Sequence, residues 1–165
     1  MKKTLIVYGT RRGTTEKTAQ VIGETLALRY SHNVQMVNVN KIWKYRKKLH
    51  TFNNLIVGSS IVRGKWVLPA LWFLKLRDFS NQKLAIFVTA GFTLNKEIEL
   101  GIPKKEVINE AIEKYIDKYL EKTTIKPVSK MAFGGMVVRS QKEKINSWKR
   151  EDIESWVMEL GKLLD

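Results

Sequence analysis

Three short segments of this chain carry residue types suited to binding a charged or flat ligand. The first is Gly9-Thr10-Arg11-Arg12-Gly13-Thr14-Thr15-Glu16, where hydroxyls at 10, 14 and 15 surround a flexible glycine and two arginines. A helix that starts directly after such a loop leaves its first N–H groups without acceptors, and its dipole favours an anion there. The segment therefore reads as a cradle for a dianionic phosphate monoester. It is not a Walker loop, because no Gly-Lys-Ser/Thr follows, nor G-x-G-x-x-G, because Gly9 and Gly13 are too far apart. The plainer alternative for the same residues is a strand–helix turn with a threonine cap.

The second segment is Gly58-Ser59-Ser60-Ile61-Val62-Arg63-Gly64-Lys65-Trp66. Small hydroxyl residues, a glycine and an indole suit a polar ring with a flat face. Trp66 could stack on such a ring or anchor the next helix in the core. The third, Thr89-Ala90-Gly91-Phe92-Thr93, offers backbone donors and a second aromatic that could stack or plug the core.

The elements that must position these segments alternate from end to end. Lys3–Tyr8, Asn54–Gly58 and Leu84–Thr89 are short apolar runs that stop at turn residues, as buried parallel strands do. Asn33–Val39 alternates as an edge strand, and Lys130–Val138 reads as a fifth strand with Gly134-Gly135 as a bulge or close approach. Helices are predicted over Thr14–Tyr30, Pro69–Phe79, Pro103–Leu120 and Glu151–Leu164, the last capped by Ser147 or Asn146. A loop of mixed charge separates Thr89 from Pro103. Five strands separated by helices specify an α/β domain with a parallel sheet covered on both faces, one domain over residues 1–165. Ligands of such sheets sit beyond the carboxyl ends of strands, so residues 9–15, 58–66 and 89–95 converge on one edge.

Composition narrows the chemistry. With no cysteine, the chain has no disulfide, thiolate metal site, cysteine nucleophile or cysteine-ligated cluster, so redox work would need an organic cofactor. His32 and His50 have no ligand partner nearby in sequence, which argues against a metal. No apolar run reaches the roughly 20 residues of a membrane span. The start, Met1 to Tyr8, reads as a strand rather than a signal peptide, so the expected location is cytoplasmic. Thirty Lys and Arg against 16 Asp and Glu give +14, which favours anionic partners. Stretches 41–50 and 139–150 each hold five cations, against no acid and one acid respectively.

With these residues in view, Tyr8 to Glu16 resembles the flavodoxin phosphate fingerprint, hydroxyl-x-hydroxyl-Gly-x-Thr followed by an acid. Gly58–Trp66, with Ile61 and Gly64, is similar to the same loop in the flavodoxin-domain family that includes menaquinone-dependent protoporphyrinogen dehydrogenases. Trp148-Lys149-Arg150-Glu151-Asp152-Ile153 before the last helix is similar to that subgroup too. The resemblance implies a flavodoxin-like three-layer sandwich, its five-stranded parallel sheet in the order 2-1-3-4-5, with FMN at the switch point. It implies phosphate contacts from Thr10, Arg11, Arg12, Gly13, Thr14 and Thr15. Ring contacts are implied from Ser60, Ile61, Val62, Arg63, Gly64, Lys65 and Trp66, and from Ala90, Gly91, Phe92 and Thr93. Three departures stand out: Arg11 and Arg12 replace small or hydroxyl residues, typical carriers are acidic, and residues 139–146 are shorter and more charged than in the porphyrin-oxidising members.

The leading expectation is an FMN-binding redox protein that moves electrons between a donor and an acceptor, either a redox protein or a small molecule, with an acidic partner favoured. The alternatives are a protoporphyrinogen dehydrogenase using a quinone, and a cofactor-free module docking on an acidic partner. No acid–base or nucleophilic set is visible, so no catalytic residue is assigned. No base-stacking motif or recognition helix supports nucleic acid, and the basic surface leaves peripheral membrane contact open.

Overall fold

Side chains alternate along a strand, so each strand of a covered sheet must supply apolar groups to two faces. In the computed structural model, which describes residues 1–165, six strands share one sheet: β1 (Lys3–Gly9), β2 (Asn33–Asn38), β3 (Asn54–Val62), the two-residue β4 (Lys65–Trp66), β5 (Lys83–Thr89) and β6 (Ser129–Phe133). The order is β2-β1-β3-β5-β6, all parallel, and β4 folds back antiparallel on the end of β3. With β4 set aside, the parallel strands stand in the expected order 2-1-3-4-5.

The helices are α1 (Thr14–Tyr30), α2 (Leu68–Lys75), the short α3 (Gly91–Leu94) and α4 (Lys96–Leu100), α5 (Lys104–Ile112), α6 (Lys118–Leu120) and α7 (Arg150–Leu164). A π-helical turn, Glu113–Asp117, joins α5 to α6. Leu5, Val7, Leu55, Val57, Ile86 and Val88 face one side, where α2 adds Ala70, Phe73 and Leu74 and α5 adds Val107 and Ala111. Ile6, Tyr8, Ile56, Ala85 and Phe87 face the other, against Ile22 and Leu26 of α1 and Ile153, Val157 and Leu160 of α7. Burying each large apolar side chain is worth about 1.5–3 kcal/mol, so the two stripes fix both helical layers on the sheet.

Several boundaries differ from the sequence reading. Residues 58–66 are not an open loop: β3 runs on to Val62, then turns at Arg63 (φ 52°) and Gly64 (φ 74°) into β4. Two residues with positive φ make the hairpin turn whose twist matches the strands. The helix expected to reach Phe79 ends at Lys75, and Phe79 packs edge-on against Phe73 from beyond it, ring centroids 6.1 Å apart. The fifth parallel strand stops at Phe133, and at Gly134 the chain passes so close to Ser147 that a Cβ would lie 2.3 Å from the Ser147 carbonyl oxygen. Met136–Val138 (β7) then pairs with Lys144–Asn146 (β8) in a separate hairpin. Ser147 is taken up by that turn, its Oγ accepting from Gly135 N at 3.2 Å, so α7 starts after Lys149 without a side-chain cap. Residues 39–45 form a 3₁₀ helix with no counterpart in the sequence reading. No helix is long and apolar enough to cross a membrane.

Phe87 is fully buried, 6.1 Å from the Phe133 ring and 6.4 Å from the Trp156 ring. Phe87→Ala should therefore cost about 3–5 kcal/mol of unfolding free energy, read from urea titrations followed by circular dichroism. A loss below about 1 kcal/mol would mean that this aromatic cluster does not hold α7 to the sheet.

Candidate functional site

The parallel strands end together, with Gly9 beside Ser59, Ser59 beside Val88, Ser60 beside Thr89 and Thr89 beside Phe133. Whatever follows β1, β3, β5 and β6 is thereby gathered on one edge. After β1 the chain reverses through Thr10–Gly13, and Thr10 Oγ1 accepts from Gly13 N at 2.9 Å. Gly13 precedes α1 in the left-handed region at φ 89°, which a side chain rarely tolerates, and it brings no side-chain cap. Lys17 N is the first helical amide to bond back, to Gly13 O at 3.0 Å. The amides of Thr14, Thr15 and Glu16 have no partner in the chain.

Side-chain bonds hold this bare helix end in place. Thr15 is fully buried, its hydroxyl 2.7 Å from that of Thr89 at the end of β5. Tyr8 donates to Glu16 Oε1 at 2.7 Å. Burial first, then the hydrogen bond to Glu16 and its charge, push the Tyr8 phenol from its ordinary 10.0 up to about 12.

On the next strand Ser59 turns toward the scaffold, accepting from Val67 N at 2.9 Å and donating to the Ser60 carbonyl at 3.0 Å. Ser60 differs: its hydroxyl is buried and has no partner. A buried hydroxyl left unpaired costs about 1–3 kcal/mol, so it marks a place built for another polar atom. Beyond β5, Gly91 lies so close to Gly135 that a Cβ there would be 3.0 Å from the Gly135 carbonyl carbon. That approach sets the β7 backbone beside the start of α3.

The result is an open cleft of about 240 Å³, lined by Thr10, Arg11, Arg12, Thr14, Ser60, Ile61, Val62, Arg63, Thr89, Gly91, Phe92, Gly135, Met136, Val137 and Val138. It is smaller than the roughly 300–1,000 Å³ of sites that enclose a ligand, which suits a flat group held by one edge and one face. Arg11, Arg12 and Arg63 are exposed on it and none forms an ion pair. Phe92 stands 67% exposed at the rim.

Ten residues singled out from sequence line the cleft: Thr10, Arg11, Arg12, Thr14, Ser60, Ile61, Val62, Arg63, Gly91 and Phe92. Gly13 and Thr15 shape it without lining it. Gly64 lies in the hairpin turn and Lys65 opens β4, and neither lines the cleft. Trp66 is a correction: paired opposite Ile61, it is buried in the core, with its indole N–H donated to the Tyr115 carbonyl at 2.6 Å and Tyr119 beside it at 6.3 Å. No indole face is left for a ligand. Ala90 and Thr93 are likewise buried, and the Thr93 hydroxyl lies 3.1 Å from the Tyr115 hydroxyl. Sequence reasoning missed the far wall, Gly135 to Val138. Its signal was the Gly134-Gly135 pair, read as a bulge or close approach within one strand, and the close approach to Gly91 is what the structure has.

Tyr8 gives the site an alkaline signature. Its native pKa lies above that of the unfolded chain, so the stability it contributes is complete below pH 10 and lost as pH rises toward 12. Spectrophotometric titration should show one of the five tyrosines ionising near pH 12, and Tyr8→Phe should remove that step. Full ionisation of all tyrosines by about pH 11 without unfolding would contradict the Tyr8–Glu16 bond.

Known proteins place this geometry. The short-chain flavodoxin associated with a non-canonical PDU bacterial microcompartment superposes with a TM-score of 0.63 at 13% identity, covering 100% of both chains. Oxidised Flavodoxin 2 from Bacillus cereus gives 0.60 at 16%, over 98% of this chain and 99% of that one. A point mutant of flavodoxin from Pseudomonas aeruginosa gives 0.65 at 11%, over 98% of each. These likenesses speak for the fold. No curated protein matches the sequence. The family model described as Flavodoxin domain matches residues 5–162, which supports the flavodoxin family but not the protoporphyrinogen dehydrogenase subgroup within it. The chain belongs to the flavodoxin domain family.

Proposed function

We propose that this chain is an FMN-binding electron-transfer protein, with the phosphate at the α1 N-terminus and the ring in the adjoining cleft. One observation carries the reading: the unbonded amides of Thr14, Thr15 and Glu16 adjoin the same cleft as the unpartnered Ser60 hydroxyl. An anion satisfies the first and a polar ring edge the second.

The residues divide the work. The amides of Thr14, Thr15 and Glu16, with Thr10, hold phosphate oxygens, and Arg11 and Arg12 balance the dianion. Ser60 fixes a polar edge of the ring, Phe92 offers a flat face, and Val137 and Val138 close the far side. Arg63 keeps an unpaired positive charge at the rim, which favours negative charge in the cleft. The electron chemistry itself belongs to the bound flavin. A protein of net charge +14 would exchange electrons most readily with an acidic partner. Porphyrinogen oxidation is not included, because residues 139–146 form only the tip and return strand of the β7–β8 hairpin.

Titrating the purified chain with FMN and with riboflavin, followed by flavin fluorescence, separates the two halves of the site. FMN should bind well below micromolar Kd and riboflavin at least about tenfold more weakly, since only FMN engages the charged end. Arg11→Ala with Arg12→Ala should weaken FMN about tenfold or more and leave riboflavin unchanged. Equal affinity for both flavins would remove the phosphate assignment, and no binding of either would favour a cofactor-free module.

A further inference from the structure

The charge distribution along the chain is lopsided. Between Thr25 and Arg77 there is no Asp or Glu, while ten Lys and Arg residues fall in that span. None of the ten forms an ion pair, although the rest of the chain pairs Lys96, Lys104, Lys114, Lys130, Arg139, Arg150 and Lys162 with carboxylates.

Two elements of this span pack side by side on the same face of the sheet, the 3₁₀ helix Val39–Tyr45 and α2. In a 3₁₀ helix residues three apart share a side, so Val39, Ile42 and Tyr45 turn inward and Trp43 turns out, 69% exposed. On α2, Ala70, Phe73 and Leu74 are buried. Leu68 and Trp72, and Leu76 just past its end, stand out at four-residue spacing, 57%, 55% and 73% exposed. Two tryptophans and two leucines thus protrude from one side of the molecule. Lys41 and Lys44 on the 3₁₀ helix, Arg46, Lys47 and Lys48 directly after it, and Lys75 at the end of α2 are all exposed. Such a surface is costly to leave in water, and Asp78, just past Leu76, is the one exposed acid that adjoins it in sequence.

We propose that this face docks on an anionic lipid bilayer, with Trp43, Leu68, Trp72 and Leu76 entering the interface and the surrounding cations contacting lipid headgroups. Protruding apolar groups need no complementary cavity in the partner, and indoles with lysines beside them are the side chains that settle at headgroup depth. Unpaired cations lose no ion pair on contact, and each adds to attraction by an anionic leaflet. The proposal does not depend on flavin binding and is tested without it.

The test is co-sedimentation of the purified full chain with vesicles of phosphatidylcholine alone and of phosphatidylcholine with one quarter phosphatidylglycerol. Binding is expected to the anionic vesicles only, weakening with salt, with a blue shift of tryptophan emission. Trp43→Ala with Trp72→Ala alters exposed positions, so circular dichroism should be unchanged while partitioning falls about tenfold. Lys44→Gln, Lys47→Gln and Lys48→Gln together should also lower it by about tenfold or more. Absence of binding to anionic vesicles at low salt would overturn the proposal. So would vesicle binding that the tryptophan variant leaves intact, which would reduce the face to a non-specific polycation. Binding to a soluble acidic polypeptide with the same dependence on both tryptophans, and none to vesicles, would assign the face to an acidic protein instead.

Discussion

Gly13 enters α1 in the left-handed region, brings no side chain, and so leaves the amides of Thr14, Thr15 and Glu16 unbonded at the carboxyl edge of the sheet. A glycine at this position, in place of a capping Ser, Thr, Asn or Asp, costs a few tenths of a kcal/mol of helix stability. The helix holds despite that cost because its far side is anchored: Ala19, Ile22 and Leu26 are fully buried against the sheet and α7. The Thr15–Thr89 hydroxyl pair and the Tyr8–Glu16 bond then fix where the bare amides point. Packing on one end of the helix thus keeps donors free on the other.

The same division runs through the whole edge. Ser59 and Ser60 are neighbours on β3, yet one hydroxyl secures the β3–β4 connection to α2 while the other is left buried without a partner. The Gly91–Gly135 approach brings the β7 hairpin against the α3 start, so the cleft gains a wall from a distant part of the chain. Parallel strand order makes this possible, since every strand ends on the edge where its successor loop is needed.

Much of this was legible in the sequence because it is local. The loop proposed for phosphate could be read from eight consecutive residues, since the helix with the free amides starts within them. The strands themselves were legible as apolar runs between turn residues, and their order came from the resemblance. The ring side was harder. Whether an indole faces a ligand or the core depends on hairpin register, and pairing with Ile61 turned Trp66 inward to a carbonyl 49 residues away. Phe92 went the other way, because α3 starts at Gly91 and leaves the ring outside. Just past the end of β6, Gly134 meets Ser147, a contact with no trace near Gly134 in sequence.

The central claim is that the α1 N-terminus holds a phosphate dianion, and phosphorus NMR of FMN mixed with the protein tests it at the atom concerned. A free phosphate monoester changes charge near pH 6. Bound to three amides and two arginines, it should stay dianionic, so its resonance should move little between about pH 5 and 8. A bound resonance that titrates like free FMN across that range would contradict the account.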